Sequence, residues 1–229
     1  VTDLPLQLDS TNPEALARGL RVCCGKPLVN SVNGEKKSLD AILPLCKKYG
    51  AAVIGLTLDE NGIPPKAEDR FAIARRIRDA AASYGIPARD VYIDCLTLTA
   101  SAQQAEVAET LKALTMCKKE LGVRTVLGVS NISFGLPCRE YLNVSFLTLA
   151  LAAGLDLAIM NPNTESMMAA VASFRVLMNR DKQSADYIAR YAGMTVSSAP
   201  SAVRTGNGAP SASGGQGMGL AEAVEKGLR

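Results

Sequence analysis

Short runs rich in Val, Leu and Ile recur along the chain, each closing on Asp or Asn and each followed by helix-like spacing. Six such runs stand out, at residues 4–9 (with Asn12 just beyond), 28–33, 53–59, 91–94, 126–131 and 155–163. The intervening segments place apolar residues every three to four positions, as at Phe71, Ala74, Ile77 and Ala81. That period is helical, and it predicts helices over 13–21, 38–49, 67–84, 103–121, 139–153 and 165–179. Pro13 suits a first helical turn, Ser38 is a plausible N-cap, and Gly50, Gly85, Gly122 and Gly154 mark helix ends. Strands alternating with helices predict an α/β fold with a parallel sheet. Such sheets carry their functional groups at the carboxyl ends of the strands, where the Asp and Asn residues stand.

A dinucleotide-binding sheet would show Gly-x-Gly-x-x-Gly after its first strand. Asp9-Ser10-Thr11-Asn12-Pro13 stands there instead. Six regular units fit better as most of a (β/α)8 barrel lacking its first two units, and the start at Val1 rather than Met agrees. The barrel reading covers residues 1–193. Ser, Ala, Gly, Pro and Thr dominate 194–219, a composition expected of a flexible linker. Residues 220–229 read as the first turns of another helix.

Composition narrows the chemistry. Hydrophobic residues make up 48% of the 229, aromatics only 4%, and Trp is absent, as expected of buried parallel strands under Ala-rich helices. The net charge of +3 comes without a long basic block, which argues against nucleic acid as a partner. The longest apolar stretch, 146–160, is broken by Gly154 and Asp156, so no membrane span is expected. No secretion signal is visible, and a cytoplasmic location follows. The six cysteines form no Cys-x-x-Cys pair, and the chain has no histidine, so neither a zinc site nor a serine-type triad is expected. The cysteines read as small buried hydrophobes.

The candidate site residues are therefore carboxylates and carboxamides. Asp9 and Asn12 end the first run, Asn30 and Asn33 the second, Asp94 the fourth, Asn131 the fifth, and Asn161 and Asn163 the sixth. Singly, each could be an ordinary helix cap or turn former. Together they would ring one barrel mouth with paired donors and acceptors, suited to a flat, nitrogen-rich ligand. Asp59 and Glu60 precede Asn-Gly and Pro-Pro turns and read as a solvated loop. Arg139 could bind a ligand anion or simply begin a helix. The pairs Lys36-Lys37, Lys47-Lys48 and Arg75-Arg76 read as solvated helix faces.

Several segments carry a resemblance. Leu8-Asp9-Ser10-Thr11-Asn12, Val29-Asn30-Ser31-Val32-Asn33-Gly34-Glu35, Tyr92-Ile93-Asp94 and Leu127-Gly128-Val129-Ser130-Asn131-Ile132-Ser133-Phe134-Gly135-Leu136-Pro137 resemble the pterin-binding barrels of cobalamin-dependent methionine synthases. They resemble the methyltetrahydrofolate–corrinoid methyltransferases less closely. The resemblance runs over about residues 4 to 180 and implies a TIM barrel of the dihydropteroate-synthase type. It implies methyltetrahydrofolate as substrate and a Co(I) corrinoid, held by a neighbouring domain of the same parent chain, as methyl acceptor. Zinc would belong to a separate homocysteine domain, and the ending from Leu220 looks like the start of a cobalamin module's helical cap. The resemblance places pterin contacts at Asn12 and Asp94 and the group near the methyl-bearing nitrogen at Asn131. Asp9, Asn33, Arg139 and Asn161 follow as further contacts, and an Asp on an earlier strand of the family has no counterpart. Two rival expectations are a dihydropteroate-synthase-like enzyme, whose Arg-x-His has no match here, and a folate-binding module without chemistry of its own.

Overall fold

The computed structural model describes residues 3–194. The expected helix start over 220–229 and all of the expected linker beyond Met194 lie outside the described residues. The described residues up to Tyr191 form one compact unit.

The first unit is a single parallel sheet of six strands in sequence order. Its strands are β1 (Gln7–Asp9), β2 (Leu28–Val32), β3 (Ala52–Leu56), β4 (Val91–Asp94), β5 (Arg124–Gly128) and β6 (Leu157–Ile159). The helices are α1 (Pro13–Val22), α2 (Lys36–Tyr49), α3 (Ala67–Ser83), α4 (Ala100–Gln103), α5 (Glu106–Glu120), α6 (Arg139–Ala153), α7 (Glu165–Leu177) and α8 (Ala185–Tyr191). Sequential parallel neighbours joined by helices are the βα repeat of an eight-stranded barrel, here six units of it.

Alternation within the strands separates two faces. Val29, Val53, Val91, Ile93 and Leu127 join Leu43, Ala74, Ile77, Leu114 and Leu147 in one apolar core beneath the helices. Ile54 and Val126, equally buried, fall outside that cluster and lie on the opposite, inner face. The register carries this inner row from Asp9 to Asn30 and on to Ile54 and Tyr92, with Leu56, Asp94 and Val126 one step further along. Gly55 shows how tightly α3 sits on the sheet: a Cβ there would lie 2.6 Å from Ile77 Cγ2.

The boundaries depart from the sequence pattern in instructive places. The helix expected from Ser38 begins at Lys36, and the Ser38 hydroxyl instead accepts from the Asn33 N–H (3.1 Å). The fifth strand stops at Gly128, where Val129–Ser133 tightens into a 3-10 turn. Short α4 precedes α5 where one helix from 103 was expected, and α8 follows a segment for which no element was expected. The cysteines divide: Cys46, Cys95 and Cys117 are buried, but Cys23 is half-buried and Cys24 and Cys138 are exposed. The last three follow helix or turn ends, where the chain is at the surface, so the uniform expectation of buried cysteines fails for them. No helix among the described residues is long and apolar enough to cross a membrane.

Candidate functional site

The strand-end Asp and Asn residues fall into two groups, those in the loops and helix starts beyond the strands and those on the inner face of the sheet. Asn12 caps α1, its Oδ1 accepting from the N–H groups of Glu14 (2.8 Å) and Ala15 (3.3 Å). Asn33 turns back on its own loop: Oδ1 accepts from Glu35 N (3.0 Å), and Nδ2 donates to Glu35 Oε1 (3.0 Å). Asn161 accepts from Asn163 N (3.0 Å) ahead of α7. Asp59 accepts from Asn61 N (3.1 Å) in the tight turn expected there. These four follow the local Asx pattern that competes with any external ligand.

A second group is placed differently. Asp9 and Asn30 are paired residues of β1 and β2, and Asn30 Nδ2 donates to Asp9 Oδ2 (3.0 Å) across the strands. Asn30, one of the strand-end residues of the sequence pattern, is thus paired across the sheet, whereas the Asn12 oxygen caps α1. Asp94 ends β4 on the same inner face, two strands across and two residues along from Asn30, and so about 12 Å away at the usual strand spacing and rise. Its main-chain oxygen accepts from Thr57 N (3.0 Å) and Thr57 Oγ1 (3.2 Å), which ties it to the end of β3.

Asp94 is buried at 8% exposure. Its Oδ1 accepts from the Leu96 N–H at 2.7 Å, and no side-chain cation pairs with it among the described residues. Burial pushes its carboxyl up to about 7, and the Leu96 hydrogen bond only partly opposes that. A carboxyl stripped of water and left without a counter-charge is poised to receive donors from outside.

Asn131 sits exposed in the 3-10 turn after β5. Its carboxamide lies back over the strand end, because a Cβ on Gly128 would fall 2.9 Å from Asn131 Nδ2. Arg139 braces that turn: Nε donates to Ser133 Oγ (2.9 Å), Nη2 donates to Ser130 O (2.9 Å), and the guanidinium stacks on Phe134 at 4.4 Å. Arg139 therefore both begins α6 and holds the loop that carries Asn131. Thr99 and Ser101 donate to Phe134 O (2.7 and 2.8 Å), linking the loops after β4 and β5.

A separate cleft of about 450 Å³ opens between the starts of α1 and α2, lined by Thr11, Ser31, Asn33, Lys37 and Leu56 among others. None of Asp9, Asn30, Asp94 or Asn131 lines it.

The profile of the pterin-binding enzyme family matches residues 1–161. The chain belongs to the pterin-binding enzyme family. Among curated relatives, the chain is 38% identical over 174 residues to a methionine synthase of Mycobacterium leprae, covering 70% of the chain and 14% of that protein. It is 30% identical over 184 residues to the methylcorrinoid:tetrahydrofolate methyltransferase of Eubacterium limosum, covering 79% of the chain and 68% of that enzyme. The fold matches dihydropteroate synthases: the Yersinia pestis enzyme superposes with a TM-score of 0.61 at 13% identity, over 78% of this chain and 74% of that one. The Xanthomonas albilineans enzyme solved with 4-aminobenzoic acid gives 0.61 at 19% identity, over 77% and 69%. The expected α/β architecture of dihydropteroate-synthase type, with six units present, is what the coordinates contain. The chain spans about one-seventh of the methionine synthase length.

Arg70 is wholly buried in α3, unlike Arg75 and Arg76, which the pattern places on a solvated face. The signal for its burial was present, since position 70 falls on the same helical stripe as Ala74, Ile77 and Ala81.

Proposed function

We propose that this chain binds methyltetrahydrofolate at the inner strand ends and supports transfer of its N5 methyl to a Co(I) corrinoid, as one step of methionine synthesis from homocysteine. The observation that carries the binding reading is Asp94, a buried carboxyl at a strand end with an oxygen left for an incoming donor. A pterin presents adjacent ring N–H and amino donors on one edge, which a carboxylate accepts as a pair. Asp9 and Asn30 add an acceptor and a carboxamide on the same face. Asn30 takes the place given to Asn12, whose oxygen is spent on α1.

Sequence favours methyl transfer over the dihydropteroate-synthase reaction. The methyltransferase relatives are 38% and 30% identical, against 13% to 20% for the synthases that share the fold. The corrinoid, presented by a neighbouring domain of the parent protein, supplies the methyl acceptor. The residues of this chain bind the pterin, orient it and manage the proton at N5. When the N5–CH3 bond breaks, its electron pair stays on nitrogen, and an amine anion would be a poor leaving group. N5 must therefore have taken up a proton from solvent by the transition state, so that the N5–H amine of tetrahydrofolate leaves as product. The Asn131 carboxamide oxygen accepts that N–H and stabilises the protonated amine, while Asp94 and Asn30 fix the ring and Arg139 holds the Asn131 turn.

Preorganised dipoles of this kind contribute about 10² to 10³ in rate. Asn131→Ala in the full parent protein is expected to lower methyl transfer on that scale while changing folate affinity little. Equal losses in rate and affinity would remove the catalytic role and leave a binding contact.

A further inference from the structure

The buried Arg70 guanidinium donates to the loop before α3, to the two residues that follow Asp94 and to α5. Nε donates to Pro64 O (2.6 Å), Nη1 to Cys95 O (3.0 Å), Leu96 O (3.3 Å) and Thr110 Oγ1 (2.7 Å), and Nη2 to Glu106 Oε2 (2.8 Å). The Thr110 hydroxyl in turn donates to Leu96 O (3.2 Å) or Glu106 O (3.1 Å). Nearby, Glu109 accepts from the Ala67 N–H (2.7 Å), so the start of α3 is pinned to α5 at a second point.

Burying a guanidinium is costly, and a buried ion pair is poor evidence for stability, since apolar replacements often fold as well. The two peptide carbonyls that follow Asp94 offer a reason for it. Leu96 holds φ at 61°, a left-handed conformation that a leucine seldom adopts and that persists only when its surroundings impose it. The N–H of this same residue donates to Asp94 Oδ1 (2.7 Å). Its carbonyl is gripped from the other side by Arg70 and Thr110.

We propose that Arg70, with Thr110 and Glu106, is a positioning residue that locks the Cys95–Leu96 turn and thereby aims the Asp94 carboxyl at the pterin. The inference rests on the pterin reading above, and it assigns the aim of its central carboxyl to a side chain that touches no ligand. Lys at position 70 would keep the charge opposite Glu106, but a single ammonium cannot span both carbonyls, Thr110 and Glu106.

The test uses the 229-residue chain and three variants, Thr110→Val, Thr110→Ser and Arg70→Lys. Methyltetrahydrofolate affinity is measured by calorimetry at a temperature where each protein is folded, and the Leu96 amide proton is followed by NMR. Thr110→Val and Arg70→Lys are expected to weaken binding by about tenfold, the scale of one well-placed hydrogen bond, and to shift the Leu96 amide upfield. Thr110→Ser keeps both near wild type. Should one of the weakening variants not fold, the other decides. A folded variant with lowered melting temperature but unchanged affinity and unchanged Leu96 resonance overturns the positioning role. A flat titration of the wild-type chain is the distinct signature of a failed pterin reading, and the role falls with it.

Discussion

At the scale of single residues, what separates site from scaffold is the combination of burial and leftover hydrogen-bonding capacity. Asn12, Asn33, Asp59, Asn161 and Asp94 all accept a hydrogen bond from the N–H two residues on. Only Asp94 of these is buried. The sequence makes the five look alike, because an Asx turn and a ligand contact ask for the same side chain at the same strand end. Water exclusion around Asp94 depends on Leu56, Val126 and their neighbours across the sheet, which no local pattern reveals. The cost of that exclusion has a sign. The folded carboxyl titrates at about 7 against an ordinary 3.8, so folded Asp94 holds its proton where the unfolded chain has lost it. The stability this protonation contributes is present below about pH 4 and is lost as pH rises through about 7, a change of roughly 4 kcal/mol at most. Asp94→Asn should therefore raise the melting temperature at pH 8, where the wild-type carboxylate is ionised. The same change should cost about 10² in folate affinity, since a charge-assisted pair of hydrogen bonds is lost. Wild-type affinity should itself fall as pH drops below about 7, because the protonated acid accepts donors poorly. Calorimetry and thermal melts across pH 5 to 9 would check all three (range chosen to span about two units either side of 7).

At the scale of elements, two glycines make different demands. Gly55 faces α3, and a methyl there would press on Ile77, whose side chain is locked in the core. Gly55→Ala should cost about 1–3 kcal/mol of stability by overpacking, readable as a lower denaturant midpoint. Gly128 ends β5 on the inner face, and a methyl there meets only the movable end of Asn131. Gly128→Ala should leave stability within about 0.5 kcal/mol and act on Asn131, lowering methyl transfer in the parent protein while the fold persists. Similar stability losses in both variants would contradict this division. Hydrophobic spacing made the long elements legible: α6 runs over Arg139–Ala153 as its pattern indicates, and β2 occupies Leu28–Val32. It overran where an apolar sequence leaves the sheet, as at Val129, because the 3-10 turn there is set by Asn131, Ser133 and Arg139 rather than by polarity. Arg70 was overlooked for the converse reason. A charged residue on an apolar stripe looks like an exception until the carbonyls it serves are seen.

At the scale of the whole molecule, six parallel βα units bring Asp9, Asn30, Asp94 and Asn131 to one end of one face, and the family match covers the residues that build it. The order of the strands and the end at which chemistry would sit were readable from the repeat of apolar run and terminal Asp or Asn. Which of those residues share a face needed the register of β1 to β4. The pterin reading makes the inner strand ends a binding surface in the chain itself, with Asp94 at its centre. The most direct test is a calorimetric titration of methyltetrahydrofolate into the folded 229-residue chain at pH 7.5, with Asp94→Asn in parallel (a pH set just above the titration at about 7). Saturable binding by the wild-type chain that Asp94→Asn weakens by about 10² is the predicted result. Binding that survives Asp94→Asn unchanged, or no binding by a wild-type chain shown to be folded, would contradict it.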